Sequence, residues 1–120
     1  MYDHVGLKVS NLERSAQFYG AALKELGHAV LSRDEGSVGI GPAGGAAGLW
    51  LGAGAAPVTP VHLAFTAGTR SAVDAFYRAG LEARGRDNGG PGLRKDYGPN
   101  YYAAFLLDPD GNNIEAVCLK

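Results

Sequence analysis

The sequence predicts an α+β fold made of two paired β-α-β-β-β modules, and three observations lead there. First, the chain repeats itself at an offset of 58 residues, placing His4 on His62, Phe18 on Phe76, Tyr19 on Tyr77, Ala21 on Ala79 and Leu23 on Leu81. Second, each copy opens with a strand of period two, followed at once by a capped helix of period 3.6. Third, short apolar segments bounded by glycine and turn residues close each copy.

In the first copy, residues 4–9 alternate, with Val5, Leu7 and Val9 on one face and His4, Gly6 and Lys8 on the other. Ser10-Asn11-Leu12-Glu13 reads as a capping box. Leu12, Tyr19, Ala22, Leu23 and Leu26 then form the apolar stripe of a helix that stops at Gly27. Strands are expected at 28–33, 37–41 and 48–52.

In the second copy, residues 61–66 set Leu63 and Phe65 opposite His62, Ala64 and Thr66. Thr69 caps a helix to about Glu82, with Val73, Phe76, Tyr77 and Leu81 facing inward. A short strand near 84–87 is followed by strands at 101–107 and 112–119, joined by the turn Asp108-Pro109-Asp110-Gly111. The two repeats are about 1–57 and 58–120, in one domain. Their apolar faces must cover the helices. The opposite faces, carrying His4 and His62, line curved mixed sheets, so the two histidines are expected to converge near a pseudo-twofold axis.

A chain of 120 residues and 12.4 kDa supports one core. The 11 basic against 12 acidic side chains leave a formal charge of −1, which argues against nucleic acid or an anionic membrane surface as partner. With 46% hydrophobic and 19% charged residues the composition is globular. No apolar run approaches the ~20 residues of a membrane span, and Met1-Tyr2-Asp3-His4 does not begin like a signal peptide, so the expected location is cytoplasmic. The single cysteine, Cys118, excludes an internal disulfide and a thiolate-rich zinc site; it shares a face with Ile114 and Ala116 as a small buried hydrophobe. The glycine run 41–48 leads into Leu49-Trp50-Leu51, not into a helix, and so is not a phosphate loop. His28 has no counterpart in the repeat and is expected at the surface.

Glu115 stands on the strand face opposite Ile114, Ala116 and Cys118. A carboxylate so close to apolar neighbours is costly to bury unpaired, and a cation removes that cost. Two imidazoles and one carboxylate on a concave face form the set that suits non-haem Fe(II) or another divalent ion with open positions. Such an ion acts as a Lewis acid or activates a bound oxygen ligand.

The residues 3–15 (Asp3-His4-Val5-Gly6-Leu7-Lys8-Val9-Ser10-Asn11-Leu12-Glu13-Arg14-Ser15), Phe18-Tyr19, Val61-His62-Leu63-Ala64-Phe65 and the ending Asp108-Pro109-Asp110-Gly111-Asn112-Asn113-Ile114-Glu115 resemble the vicinal-oxygen-chelate superfamily. That superfamily holds glyoxalase I, extradiol dioxygenases and the fosfomycin- and bleomycin-resistance proteins. The resemblance implies the glyoxalase/bleomycin resistance/dioxygenase fold with a metal-binding cup. It also implies a divalent ion (Fe, Mn, Zn or Ni) on His4, His62 and Glu115, with Glu115 catalytic and substrate oxygens chelating the metal, in a lyase- or dioxygenase-like enzyme. Glyoxalase I-like members carry a fourth ligand, a Glu, where this chain has Trp50. An indole N–H only donates, which disfavours glyoxalase I activity. The alternative is a non-catalytic, antibiotic-sequestering protein of the bleomycin-resistance type.

The long loop 89–100 carries Arg94, Lys95 and Tyr97 and leads to Tyr101 and Tyr102. These residues, with Trp50 as a wall, are expected to hold an anionic or aromatic small-molecule substrate. A homodimer is expected. The sequence leaves open whether the modules pair within one chain or across a dimer.

Overall fold

The two helices lie 58 residues apart, as the internal repeat requires. In the computed structural model, which describes residues 1–55 and 59–120, α1 spans Leu12–Lys24 and α2 spans Arg70–Glu82, with N-caps Asn11 and Thr69 at the same offset. The repeat boundary expected between 57 and 58 lies outside the described residues. Around α1 come β1 (Val5–Val9), β2 (His28–Arg33), β3 (Ser37–Pro42) and β4 (Leu49–Ala53). Around α2 come β5 (His62–Thr66), β6 (Arg86–Asp87), β7 (Gly92–Leu93), β8 (Tyr102–Leu107) and β9 (Asn113–Cys118).

Both sheets have one plan. The first has the order β1-β4-β3-β2 and the second β5-β9-β8-β6, with β7 beside β8. In each, the opening strand stands at one edge and runs parallel to the closing strand, while the other pairings are antiparallel. The helix between the first two strands is the crossover that such a parallel pair demands. Among the described residues no helix is long and apolar enough to cross a membrane.

Helix α1 corrects the expected cap. Asn11 is the N-cap, its side chain accepting from the Arg14 N–H at 3.0 Å. Ser10 is drawn elsewhere: its N–H and its hydroxyl both donate to Asp110 in the turn between β8 and β9. Glu13 pairs with Arg33 instead of completing a capping box. The buried stripe includes Ala16 and Phe18 beside Tyr19, Ala22 and Leu23, because α1 packs against α2 as well as its own sheet. Helix α2 turns Val73, Phe76 and Gly80 inward and leaves Leu81 exposed, against the expected register. A side chain at Gly80 would collide with Leu106 Cδ1 and crowd Phe18, so glycine is what lets the helices approach there.

The turn 108–111 does more than close a hairpin. Gly111 takes φ +87°, and its N–H donates to the Asp108 carbonyl at 3.0 Å. The Asp108 carboxylate, 1% exposed, accepts from the Tyr19 hydroxyl of α1, from the Asp110 N–H (2.9 Å), and from the Asn112 N–H and side-chain amide (2.8 Å each). Asn112 in turn accepts from the Val61 N–H at 2.9 Å. Burial first, and the Asp108 charge second, push the Tyr19 phenol well above the usual tyrosine range. One buried network thus joins the first module's helix to the residue that precedes His62.

Candidate functional site

The parallel register of β5 and β9 decides which groups meet. His62 stands beside Asn113 and Ala64 beside Glu115, and side chains of one parity share a face. His62 and Glu115 therefore project to the same side of the second sheet, away from α2, while Ile114, Ala116 and Cys118 enter the core. Glu115 is 2% exposed, yet it is not unpaired. The Tyr101 hydroxyl donates to its Oε1, and His62 Nε2 lies 2.9 Å from its Oε2. The Glu115 hydrogen bond, with burial second, pushes the Tyr101 phenol up to about 12.

The other nitrogen of His62, Nδ1, lies 3.1 Å from the backbone carbonyl of Asn113. A carbonyl oxygen only accepts, so Nδ1 carries the proton and the ring is held by that bond. Phe105 faces Glu115 across β8 and β9, and its ring stacks on His62 with centroids 6.4 Å apart. The Arg94 guanidinium lies 5.3 Å from the Phe105 centroid and donates to the carbonyls of Gly90 and Gly92. Arg94 thus puts a positive charge at the margin of the site and closes the loop on itself.

The other expected site residues are placed differently. Lys95 and Tyr97 are exposed on the loop, with Tyr97 edge-on to Tyr101 at 5.3 Å. Tyr102 departs from its expected role: strand alternation turns it to the helix side, where its hydroxyl donates to Asp74 at 2.6 Å and Arg70 covers its ring. The loop 89–100 is also shorter than expected, since Gly92–Leu93 pairs with β8. His4 is exposed beside β1, its Nδ1 2.6 Å from Asp3. Among the described residues of one chain, no three His, Cys, Asp or Glu side chains gather closely enough to hold a metal ion. The structure brings His62, Glu115 and Tyr101 together and leaves His4 with Asp3.

Trp50 lies opposite Gly6 in the first sheet, in the register in which Glu115 lies opposite Ala64 in the second. Its ring rests on Gly39, where an added Cβ would come within 2.7 Å of it. Asn112, Asn113 and Phe105 were not legible as site residues by type. A signal for Phe105 was nonetheless present: the turn 108–111 fixes the register between β8 and β9 and so sets the residue opposite Glu115.

The family model for the glyoxalase/bleomycin resistance protein/dioxygenase superfamily matches residues 2–116. Among solved structures, a glyoxalase/bleomycin resistance protein from Albidiferax ferrireducens is 30% identical with a TM-score of 0.77, covering 98% of each chain. A hypothetical protein from S. aureus is 25% identical with a TM-score of 0.71, covering 98% of this chain and 91% of the other. A glyoxalase/bleomycin resistance protein/dioxygenase family enzyme from Burkholderia phytofirmans shares the fold at 17% identity, with a TM-score of 0.76 over 98% of each chain. No curated protein matches the sequence.

Proposed function

The chain belongs to the glyoxalase/bleomycin resistance protein/dioxygenase superfamily, and from that premise we propose that it is a metal-dependent enzyme acting on a small molecule. Its divalent ion (Fe, Mn, Zn or Ni) is held by His62 and Glu115 of one chain with His4 of a second copy. Proteins of this superfamily bind small molecules and generally use divalent metals.

The observation that carries the reading is the pair of His62 Nε2 and Glu115 Oε2, 2.9 Å apart, one half-exposed and the other buried. With the proton on Nδ1, Nε2 turns a lone pair toward a carboxylate, and two such atoms at that separation need a positive charge between them. Imidazole nitrogen with carboxylate oxygen is a donor set that fits the proposed ions. The free outer edges of β1 and β5, which end their sheets, support completion by a second copy, because His4 precedes one of them and His62 lies on the other.

A bound divalent ion supplies positive charge that polarises the substrate's oxygens. The chain's own residues do the rest. Tyr101 occupies Glu115 Oε1, so Oε2 is the oxygen left to ligate or to accept a substrate proton. The Asn113 carbonyl fixes the plane of His62, and Phe105 backs that ring with an apolar surface. Arg94 contributes charge toward an anionic substrate from above Phe105.

The test is metal content of untagged protein prepared without chelator. His62→Ala and His4→Ala are each expected to lose the ion while keeping the wild-type melt. Mixing and refolding the two variants should restore about a quarter of the wild-type metal, because half of the dimers then hold one intact site of two. Wild-type metal content in His62→Ala refutes the centre, and no restoration on mixing refutes its sharing between copies.

A second reading, a non-catalytic binder of aromatic ligands, is favoured by one observation: Trp50, not a carboxylate, occupies the place in the first sheet that Glu115 holds in the second. Metal-free protein that binds an aromatic ligand as tightly as the loaded form would select it.

A further inference from the structure

Behind the first sheet, between the C-terminal end of α1 and the edge of β5, lies a cavity of about 400 Å³. Leu23, Ile40 and Leu49 form its buried floor, and Leu63 and Phe65 of β5 form one wall. It is separate from the face on which Glu115 lies: its floor is helix-side core, and only the edge residue His62 is common to both. Its size and apolar lining are those of small-molecule sites, in which a few placed polar groups set orientation.

One such group is present. His28, expected at the surface, is half-buried in the lining, and its Nδ1 is fully screened from solvent with no hydrogen-bond partner among the described residues. A buried, unpaired ring nitrogen is a standing cost that a correctly placed partner removes. The imidazole proton sits on Nε2, the less enclosed nitrogen, so Nδ1 offers a lone pair and calls for a donor. Gly48 at the cavity's margin points the same way: a Cβ there meets nothing nearer than the Asp3 carbonyl at 4.0 Å, so the space beside it is open.

We propose that this cavity binds a small, mainly apolar, single-ring molecule bearing one hydroxyl, which donates to His28 Nδ1. The proposal does not depend on the metal centre.

The probes are 4-fluorophenol and fluorobenzene, followed by fluorine NMR and by amide shifts of the full chain in excess chelator, so that neither result rests on a bound metal. Wild type should bind 4-fluorophenol saturably, with shifts centred on Leu23, Ile40 and Leu49, and about fivefold tighter than fluorobenzene, the worth of one net hydrogen bond. His28→Phe should bring the two affinities together. Gly48→Leu should fill the cavity and lose both probes with the melt unchanged. No saturable binding by wild type, equal affinity for the two probes in wild type, or undiminished binding in a folded Gly48→Leu overturns the proposal. Should Gly48→Leu fail to fold, the probe ratio in His28→Phe decides. Binding that disappears as rising protein concentration drives dimerisation assigns the cavity to a second copy and also overturns the proposal.

Discussion

Trp50 faces Gly6 in the first sheet as Glu115 faces Ala64 in the second, and Gly6 and Ala64 are the same position of the 58-residue repeat. The two modules therefore present an indole and a carboxylate at one structural address. Trp50→Glu is expected to add a ligand oxygen and tighten divalent-ion binding roughly tenfold, since affinity rises with the number of charged ligands. The lost packing on Gly39 should cost about 1–2 kcal/mol for a half-buried aromatic. Isothermal titration with Mn²⁺ and a urea melt measure the two effects. Unchanged affinity would mean that the shared address carries no ligand role.

The hydrogen bond from Tyr101 to Glu115 has a pH signature. The Tyr101 phenol, ordinarily near 10, is pushed up to about 12, chiefly by that bond and then by burial. A value raised in the folded state means stability that is fully present below about pH 10 and is lost as pH climbs toward 12. The stability difference between wild type and Tyr101→Phe should thus be constant to about pH 10 and shrink above it, read from urea melts across pH. A difference that shrinks between pH 6 and 9 would point to another group.

Tyr19→Phe removes one donor from a carboxylate that is 1% exposed. The expected loss is about 1–3 kcal/mol, the cost of leaving a buried polar partner short. Asn112→Ala should cost at least as much and should also loosen His62, because Asn112 holds the Val61 N–H. Hydrogen exchange at Val61 in each variant checks this: it should quicken more in Asn112→Ala than in Tyr19→Phe.

Arg94 and Lys95 should separate cleanly. Arg94 closes its loop through the Gly90 and Gly92 carbonyls and covers Phe105, whereas Lys95 is exposed. Arg94→Ala is expected to destabilise by about 1–2 kcal/mol, and Lys95→Ala by no more than about 0.5 kcal/mol. Equal effects would show that the guanidinium contacts carry no net stability.

The order of strands and helices, the two copies and the pairing of His62 with Glu115 on one face were all legible in the sequence. They depend on local periods, caps and turn chemistry, and on a repeat that needs only counting. Thr69 as a cap and the hairpin at Asp108–Gly111 are of this kind: each is decided by residues within a few positions. Tertiary structure alone decided matters that depend on distant partners. Ser10 gave up its cap because Asp110, a hundred residues later, competes for it. Leu81 stayed exposed because Gly80 admits the opposing helix more closely than any side chain allows. Tyr102 went to Asp74 on the helix side, and His28 sank its Nδ1 into a cavity formed in part by a strand of the other module. His4, equivalent to His62 in sequence, lies apart from it within one chain because helix-to-helix packing, not sheet-to-sheet pairing, joins the modules. A period specifies which face a residue occupies, but only the packing of the modules specifies what that face meets.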